Sequence, residues 1–294
     1  MILVFGSLNV DVLLPVPQLP RPGETVLGGE YRLLPGGRGA NQALAARRAG
    51  ADVTMAGAAG SDAFAEVALA PLGAAGVDTR LVRRTVAPTG CALILVGDAG
   101  ENMIAVAPGA NRAATAADVP DRLFGPQTTL LCQMEVPAAE NWALLRRARS
   151  SGARTMLNLA PAAPVPPATF ADIDILVANG GEAAALTADP AEVAHGLGEA
   201  FVVTRGADGA VGWLRDGGRL AVPALRVAPV DTTGAGDTFV GVLAAALDRR
   251  LDLTAALRRA STAAALACLA PGAQSAMPDA AAIDAEVNRL PAAS

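Results

Sequence analysis

Short apolar runs rich in β-branched residues alternate with alanine-rich stretches of helical period along most of the 294-residue chain. The segments ADVTMAGAAG, TTLLCQMEV, ARTMLNLAP, DILVANGGE and AFVVTRGADGAVGWL read as strands or strand ends. Between them GANQALAARRAG, AAENWALLRRARSSG and TAALRRASTAAALACL read as helices, and the opening MILVFGSLNVDVLL reads as one strand. Strands alternating with helices predict an α/β fold with a mostly parallel central sheet and helices on both faces. Ligands of such sheets sit beyond the carboxyl ends of the strands.

Two stretches leave this rhythm. Asp11 to Gly37 and Thr89 to Asn111 have strand and turn character without helical period, and GDAG within the second reads as a hairpin turn. They predict a small accessory sheet built from insertions at about 12–36 and 89–110 and packed over one end of the main sheet. With one face over a ligand it would act as a lid. Its other face needs cover, which predicts a homodimer through the lid.

Composition narrows the chemistry. The net charge of −5 has no basic face to suit nucleic acid. No apolar run is long enough to cross a membrane, so a soluble cytoplasmic protein is expected. All 23 basic residues are arginine, which removes a Walker A lysine, a pyridoxal phosphate Schiff base and a biotinylated lysine. A single histidine, His195, leaves no histidine-rich zinc site and disfavours a Ser-His-Asp triad. Cys91, Cys132 and Cys268 lie far apart in apolar settings and read as small core residues in a reducing compartment. The chemistry must rest on carboxylates, arginines, amides and hydroxyls.

The stretch VDTTGAGDTFVGVLAAAL, Val230 to Leu247, carries that chemistry. Gly234, Ala235 and Gly236 can form an amide-lined anion nest at the start of a helix. A carboxylate there repels the anion, so Asp237 is either a helix cap or a group with work to do: removing the proton from an attacking hydroxyl. The second stretch, PGGRGANQALAARRAG, sets a glycine turn before a helix but lacks the dinucleotide-binding register. Its Asn41 amide could bind sugar hydroxyls, and Asp11 could accept from two neighbouring hydroxyls.

GGRGANQA and DTTGAGDTF resemble the two signatures of the ribokinase-like, or PfkB, carbohydrate kinases. GSLNVD, PGETV, TGCALILVGDAGEN, QMEVP, LNLAPA, NGGE, VTRGADGA and PGAQ follow in that family's order, and the likeness is strongest to its ribokinase branch. The resemblance implies a three-layer α/β/α sandwich with a β-sheet lid, one unit over residues 1–294. It implies a kinase that moves the γ-phosphoryl group of ATP to a primary hydroxyl of a small sugar, D-ribose foremost. Acceptors such as 2-deoxyribose, fructose, a keto-deoxy sugar acid or a nucleoside are the alternatives, with a non-catalytic sugar-binding module further off.

Carried over residue by residue, the resemblance makes Asp237 the base and Gly234, Ala235 and Gly236 the anion hole. Asn9, Asp11, Gly37, Arg38, Asn41 and Glu135 fall on sugar-contacting positions. Asn179 and Glu182 fall on the pair that organises phosphate and magnesium-bound water; Thr204, Gly206, Gly209 and Ser261 fall on the nucleotide site. Asp231 and Thr233, with Ala267, Ala270 and Gly272, fall on a monovalent cation site where potassium activates relatives. Two departures stand out. Arg38 replaces a frequent lysine, and Ala276 replaces a hydroxyl residue that completes the cation site, which predicts weaker potassium dependence.

Overall fold

The structure is a computed structural model and describes residues 1–291. In chain order the strands are β1 (Ile2–Phe5), β2 (Asn9–Val16), β3 (Arg32–Gly36), β4 (Val53–Gly60), β5 (Asp78–Thr85), β6 (Gly90–Gly97) and β7 (Asn102–Ala107). They continue with β8 (Thr129–Gln133), β9 (Arg154–Asn158), β10 (Ile175–Asn179), β11 (Ala200–Thr204), β12 (Ala210–Leu214) and β13 (Arg219–Val222). The helices are α1 (Arg38–Arg48), α2 (Ala63–Ala75), α3 (Ala138–Ser150), α4 (Gly180–Leu186), α5 (Pro190–Gly196), α6 (Ala235–Asp248), α7 (Leu253–Ala267) and α8 (Ala280–Glu286).

The described residues form a nine-stranded sheet in the order β13-β12-β11-β10-β9-β8-β1-β4-β5. From β11 to β5 every pairing is parallel; β12 and β13 add an antiparallel edge. Side chains alternate between two apolar layers. Ile2 and Val4 of β1 join α1, α2, α6, α7 and α8, whereas Leu3 and Phe5 join α3, α4 and α5. A strand buried on both faces needs an unbroken apolar run, which is why ILVF carries no polar residue. This is the α/β/α sandwich expected.

MILVFGSLNVDVLL is not one strand. It breaks at Gly6–Leu8, so that β1 lies in the large sheet and β2 in a four-stranded sheet of order β3-β2-β6-β7. The GDAG turn joins β6 to β7, with the Gly100 amide donating to the Gly97 carbonyl at 2.9 Å. Cross-strand register puts Asp11, Leu34, Ala92 and Val106 on one face of the small sheet and Val12, Leu33, Leu93 and Ala105 on the other. Leu93 is 53% exposed and all of β7 is exposed. Among the described residues no helix is long and apolar enough to cross a membrane.

One helix contact sets the spacing of α1 and α6. Helices α1 and α6 pack on small residues, Ala45 and Ala46 against the Gly241 region, so their backbones nearly touch. A Cβ at Gly241 would lie 2.4 Å from the Gln42 carbonyl oxygen and 2.7 Å from the Ala45 Cβ. Backbone and methyl cannot swing aside as a long side chain would. Gly241→Val is therefore expected to cost about 1–3 kcal/mol by overpacking, read as a lower urea midpoint at unchanged slope. A midpoint equal to the parent's would contradict this close approach.

Candidate active site

Helix α6 begins with Gly234 in the left-handed region, at φ 77°, as its N-cap without a side-chain cap bond. Asp237 is the third residue inside the helix and caps nothing. Its side chain turns instead to α1, where Asn41 Nδ2 donates to Oδ2 at 2.9 Å and Gln42 Nε2 donates to Oδ1 at 2.9 Å. An Arg38 guanidinium nitrogen stands 3.6 Å from Oδ1. Asp237 is only 5% exposed. Burial pushes its carboxyl above the usual range, opposed by Arg38 and by the Asn41 and Gln42 hydrogen bonds, while Glu135 adds to the rise. A base whose affinity for a proton is lifted in this way suits proton abstraction.

Around it gather the groups that the resemblance assigned to a sugar. Arg38 also reaches Glu135, at 3.6 Å, and its backbone amide donates to Glu135 at 3.1 Å. The Ser7 hydroxyl donates to the same carboxylate at 2.5 Å. Asp11 looks in from β2, pushed up to about 6 by burial first and then by the charges of Glu135 and Asp237. Asn9 Oδ1 accepts from Asn111 Nδ2 at 2.7 Å, and the Asn9 side-chain nitrogen has no hydrogen-bond partner among the described residues. Gly37, at φ 90°, makes the turn from β3 into α1 and so links the small sheet to this cluster. Three carboxylates, two of them beside Arg38, form an acceptor-rich pocket, matched to a neutral polyol and hostile to an anion.

Of the three amides expected to form an anion nest, Gly234, Ala235 and Gly236, one is already engaged. The Ala235 amide is spent on the Thr232 carbonyl at 3.2 Å, whereas those of Gly234, Gly236 and Asp237 have no hydrogen-bond acceptor among the described residues. The helix twist moves the third free donor from Ala235 to Asp237. Ala235, Gly236 and Phe239 also line a cavity of about 310 Å³, together with Thr204, Gly206, Gly209 and Ser261. The nest thus stands between that cavity and the carboxylate cluster. Ser261 does not point freely at a ligand; its hydroxyl donates to the Pro223 carbonyl at 2.8 Å. Cys268 lines the same cavity and Cys91 lies on the small sheet, so of the three cysteines only Cys132 is a buried core residue.

Asn179 and Glu182 make a reciprocal capping box at the start of α4: Asn179 accepts from the Glu182 amide at 2.9 Å and Glu182 accepts from the Asn179 amide at 2.8 Å. One Glu182 oxygen remains for other work. Asp231 accepts from the Thr233 amide at 2.8 Å and from the Gly272 amide at 2.8 Å. Burial alone would raise its carboxyl, but these hydrogen bonds outweigh it and hold the group below its usual range. Ala267 ends α7, and Ala270 and Gly272 follow in the loop facing Asp231. His195 is remote, its Nδ1 2.8 Å from the Arg215 carbonyl at the surface.

A larger cavity, about 410 Å³, opens at the amino ends of β8, β9 and β11. Most of its charged groups are already paired, Arg149 with Asp174, Arg154 with Glu199, and Asp248 with the chain amino group, while Arg250 donates to the Pro126 carbonyl and the Gln127 side-chain oxygen. It therefore offers a ligand little.

Sequence reading missed Gln42, Asn158, Gln274 and Ser7. Gln42 is bound to Asn158 at 3.0 Å as well as to Asp237, and Gln274 donates to Asn41 at 2.9 Å. All lie in segments that carried the resemblance, GANQA, LNLAPA, PGAQ and GSLNVD. Their contacts span more than 100 residues of chain, so spacing alone could not pair them.

The family model for pfkB family carbohydrate kinases matches residues 1–280. The chain is 36% identical to the ribokinase of Bacillus subtilis over 283 residues, covering 94% of this chain and 96% of that one. It is also 36% identical to the ribokinase of Haemophilus influenzae, covering 94% of each. Among solved structures, Arabidopsis thaliana ribokinase complexed with ribose and ATP superposes with a TM-score of 0.90 at 28% identity, covering 97% of this chain and 98% of that one.

The strained carboxyl of Asp11 gives a stability prediction. Its pKa in the folded chain exceeds the ordinary 3.8, so ionising it penalises the folded state above pH of about 6, and the penalty vanishes as pH falls below 3.8. Asp11→Asn should therefore stabilise the protein at neutral pH by up to about 3 kcal/mol and gain nothing in acid. Urea unfolding at both pH values checks this. A loss of stability at neutral pH would contradict the crowding of negative charge.

Proposed function

The chain belongs to the pfkB family of carbohydrate kinases, and from that membership we propose that it transfers the γ-phosphoryl group of ATP to the O5 hydroxyl of D-ribose. The observation that carries this reading is the buried Asp237 carboxylate beside free amides of its own helix terminus, at the junction of a carboxylate pocket and a cavity of about 310 Å³. Asp237 takes the hydroxyl proton as oxygen attacks phosphorus. The Gly234, Gly236 and Asp237 amides hold the negative charge spread over the moving phosphoryl group. Asp11 accepts from two neighbouring sugar hydroxyls, and Asn41 and Glu135 fix the ring so that O5 faces the base. Arg38 balances part of the charge, a duty that lysine cannot share in a chain without one.

Magnesium suits the one spare carboxylate oxygen at Glu182, where it would neutralise ATP phosphates and keep its waters. Potassium suits the ionised Asp231 with Thr233 and the Ala267, Ala270 and Gly272 backbone, and would stiffen the loop against the nest. ATP enters by the cavity of Thr204, Gly206, Gly209 and Ser261, with Asn179 and Glu182 on the phosphate side. The small sheet closes over the sugar and excludes the water that would compete for the phosphoryl group. Its exposed face, with Leu33 and Leu93, suits a homodimer, and one α/β unit over residues 1–294 carries the whole reaction. Three unbridged cysteines and a need for ATP suit the cytoplasm.

ADP release is measured with ribose, 2-deoxyribose, fructose, a keto-deoxy sugar acid and adenosine, for wild type and Asp237→Ala. Ribose should give the highest kcat/KM, and the substitution should lower kcat by about 10²–10⁴. Preference for a hexose or nucleoside overturns the ribose assignment. No release with any acceptor leaves a sugar-binding module. Potassium should activate only weakly, because Ala276 has no hydroxyl and the neighbouring Ser275 hydroxyl is spent on the Pro271 carbonyl at 2.8 Å. Strong activation by potassium over sodium would contradict this.

A further inference from the structure

We infer that Gln42 is a positioning residue for this reaction: its buried amide fixes the orientation of the Asp237 carboxylate without touching either substrate. The inference rests on the kinase reading only for the role of Asp237. Gln42 is 0% exposed, so sugar and nucleotide cannot reach it. Its NH2 group spends both hydrogens on oxygens, Asp237 Oδ1 at 2.9 Å and Asn158 Oδ1 at 3.0 Å. Asn158 closes β9 and is itself held through its amide to the Val177 carbonyl of β10, at 3.1 Å. A rigid path therefore runs from two central strands through Gln42 to the base. The Gln42 Oε1 is buried with no partner among the described residues, an arrangement that is unfavourable by itself and that the two donated bonds offset.

Asn41 also binds Asp237 but lies on the sugar side and is held separately by Gln274. With both neighbours in place, each carboxylate oxygen has one amide donor, which sets the plane of the group. The charged groups that face Asp237 are Arg38, which favours the anion, and Glu135 and Asp11, which disfavour it. Removing the Gln42 donor leaves burial and two like charges opposed by Arg38 and Asn41 alone. The carboxyl then holds its proton to higher pH, and its plane is free to turn.

The test uses wild type, Gln42→Leu, which keeps the volume without the donor, and Asn158→Ala, which frees the Gln42 amide while leaving the base alone. Carbon-13 NMR of labelled aspartate, with Asp237 assigned through Asp237→Asn, follows its carboxyl titration in the absence of substrates. The kcat–pH profile with ribose is recorded beside it. Gln42→Leu should raise the Asp237 titration midpoint by about one pH unit and move the acid limb of the kcat–pH profile toward base by the same amount, a loss of up to about tenfold on that limb, with recovery in base and an unchanged KM for ATP. Asn158→Ala should move both in the same direction by less. A midpoint that stays put in both folded variants, or a loss of kcat equal at every pH, overturns the positioning role. A wild type without turnover on any sugar removes the kinase reading instead, and the carboxyl titration still decides the role of Gln42.

Discussion

A carboxylate that is 5% exposed has given up most of its water, and the rest of the site exists to make that tolerable. Asp237 is held by two amides from α1 and an arginine from the same helix. Each donor is itself fixed from elsewhere: Asn41 by Gln274, Gln42 by Asn158, Arg38 by Glu135. Enough stabilisation keeps an anion available, and enough burial keeps it proton-hungry. Stronger donors would lower its affinity for a proton, and fewer would raise it.

This demand propagates into the fold. Side chains as short as Asn41 and Gln42 reach Asp237 only because α1 and α6 pack almost backbone to backbone, which Gly241 and the alanines allow. The helices are in turn seated on β1, whose unbroken apolar run serves both layers. The site lies at the carboxyl ends of β8 and β9, where Gln133 leads to Glu135 and Asn158 ends its strand. At the α6 amino terminus, amides without an acceptor and the Asp237 carboxylate lie within a single turn of chain, so the two proposed roles, anion binding and proton removal, fall within one reach. Asp11 lies on the small sheet, so the proposed closure of that sheet would complete the proposed sugar site.

Much of this was legible in the chain. The alternation of strands and helices, the two helix signatures and the departure of the accessory sheet all rest on local pattern, and local pattern survives in one dimension. So did Asp237, because a carboxylate after a glycine nest conflicts with the anion such a nest attracts. What escaped was the other kind of information. The break of MILVFGSLNVDVLL into two sheets depends on where β6 lies, and the engagement of the Ala235 amide depends on the helix phase. Gln42 escaped for a sharper reason: adjacent residues on a helix point about 100° apart, so nothing in its spacing from Asn41 suggests that both meet one carboxylate. The capping box at Asn179 and Glu182 was hidden by a motif that satisfies two explanations at once.

The central claim is that Asp237 contributes to chemistry and not to binding. Rapid-quench single-turnover transfer by Asp237→Asn, with dissociation constants for ATP and ribose taken from calorimetry, separates the two. The account requires both constants to remain close to those of the parent while the transfer step slows by about 10²–10⁴. Transfer at the parental rate, or a slowing accounted for entirely by weaker ribose binding, would contradict it.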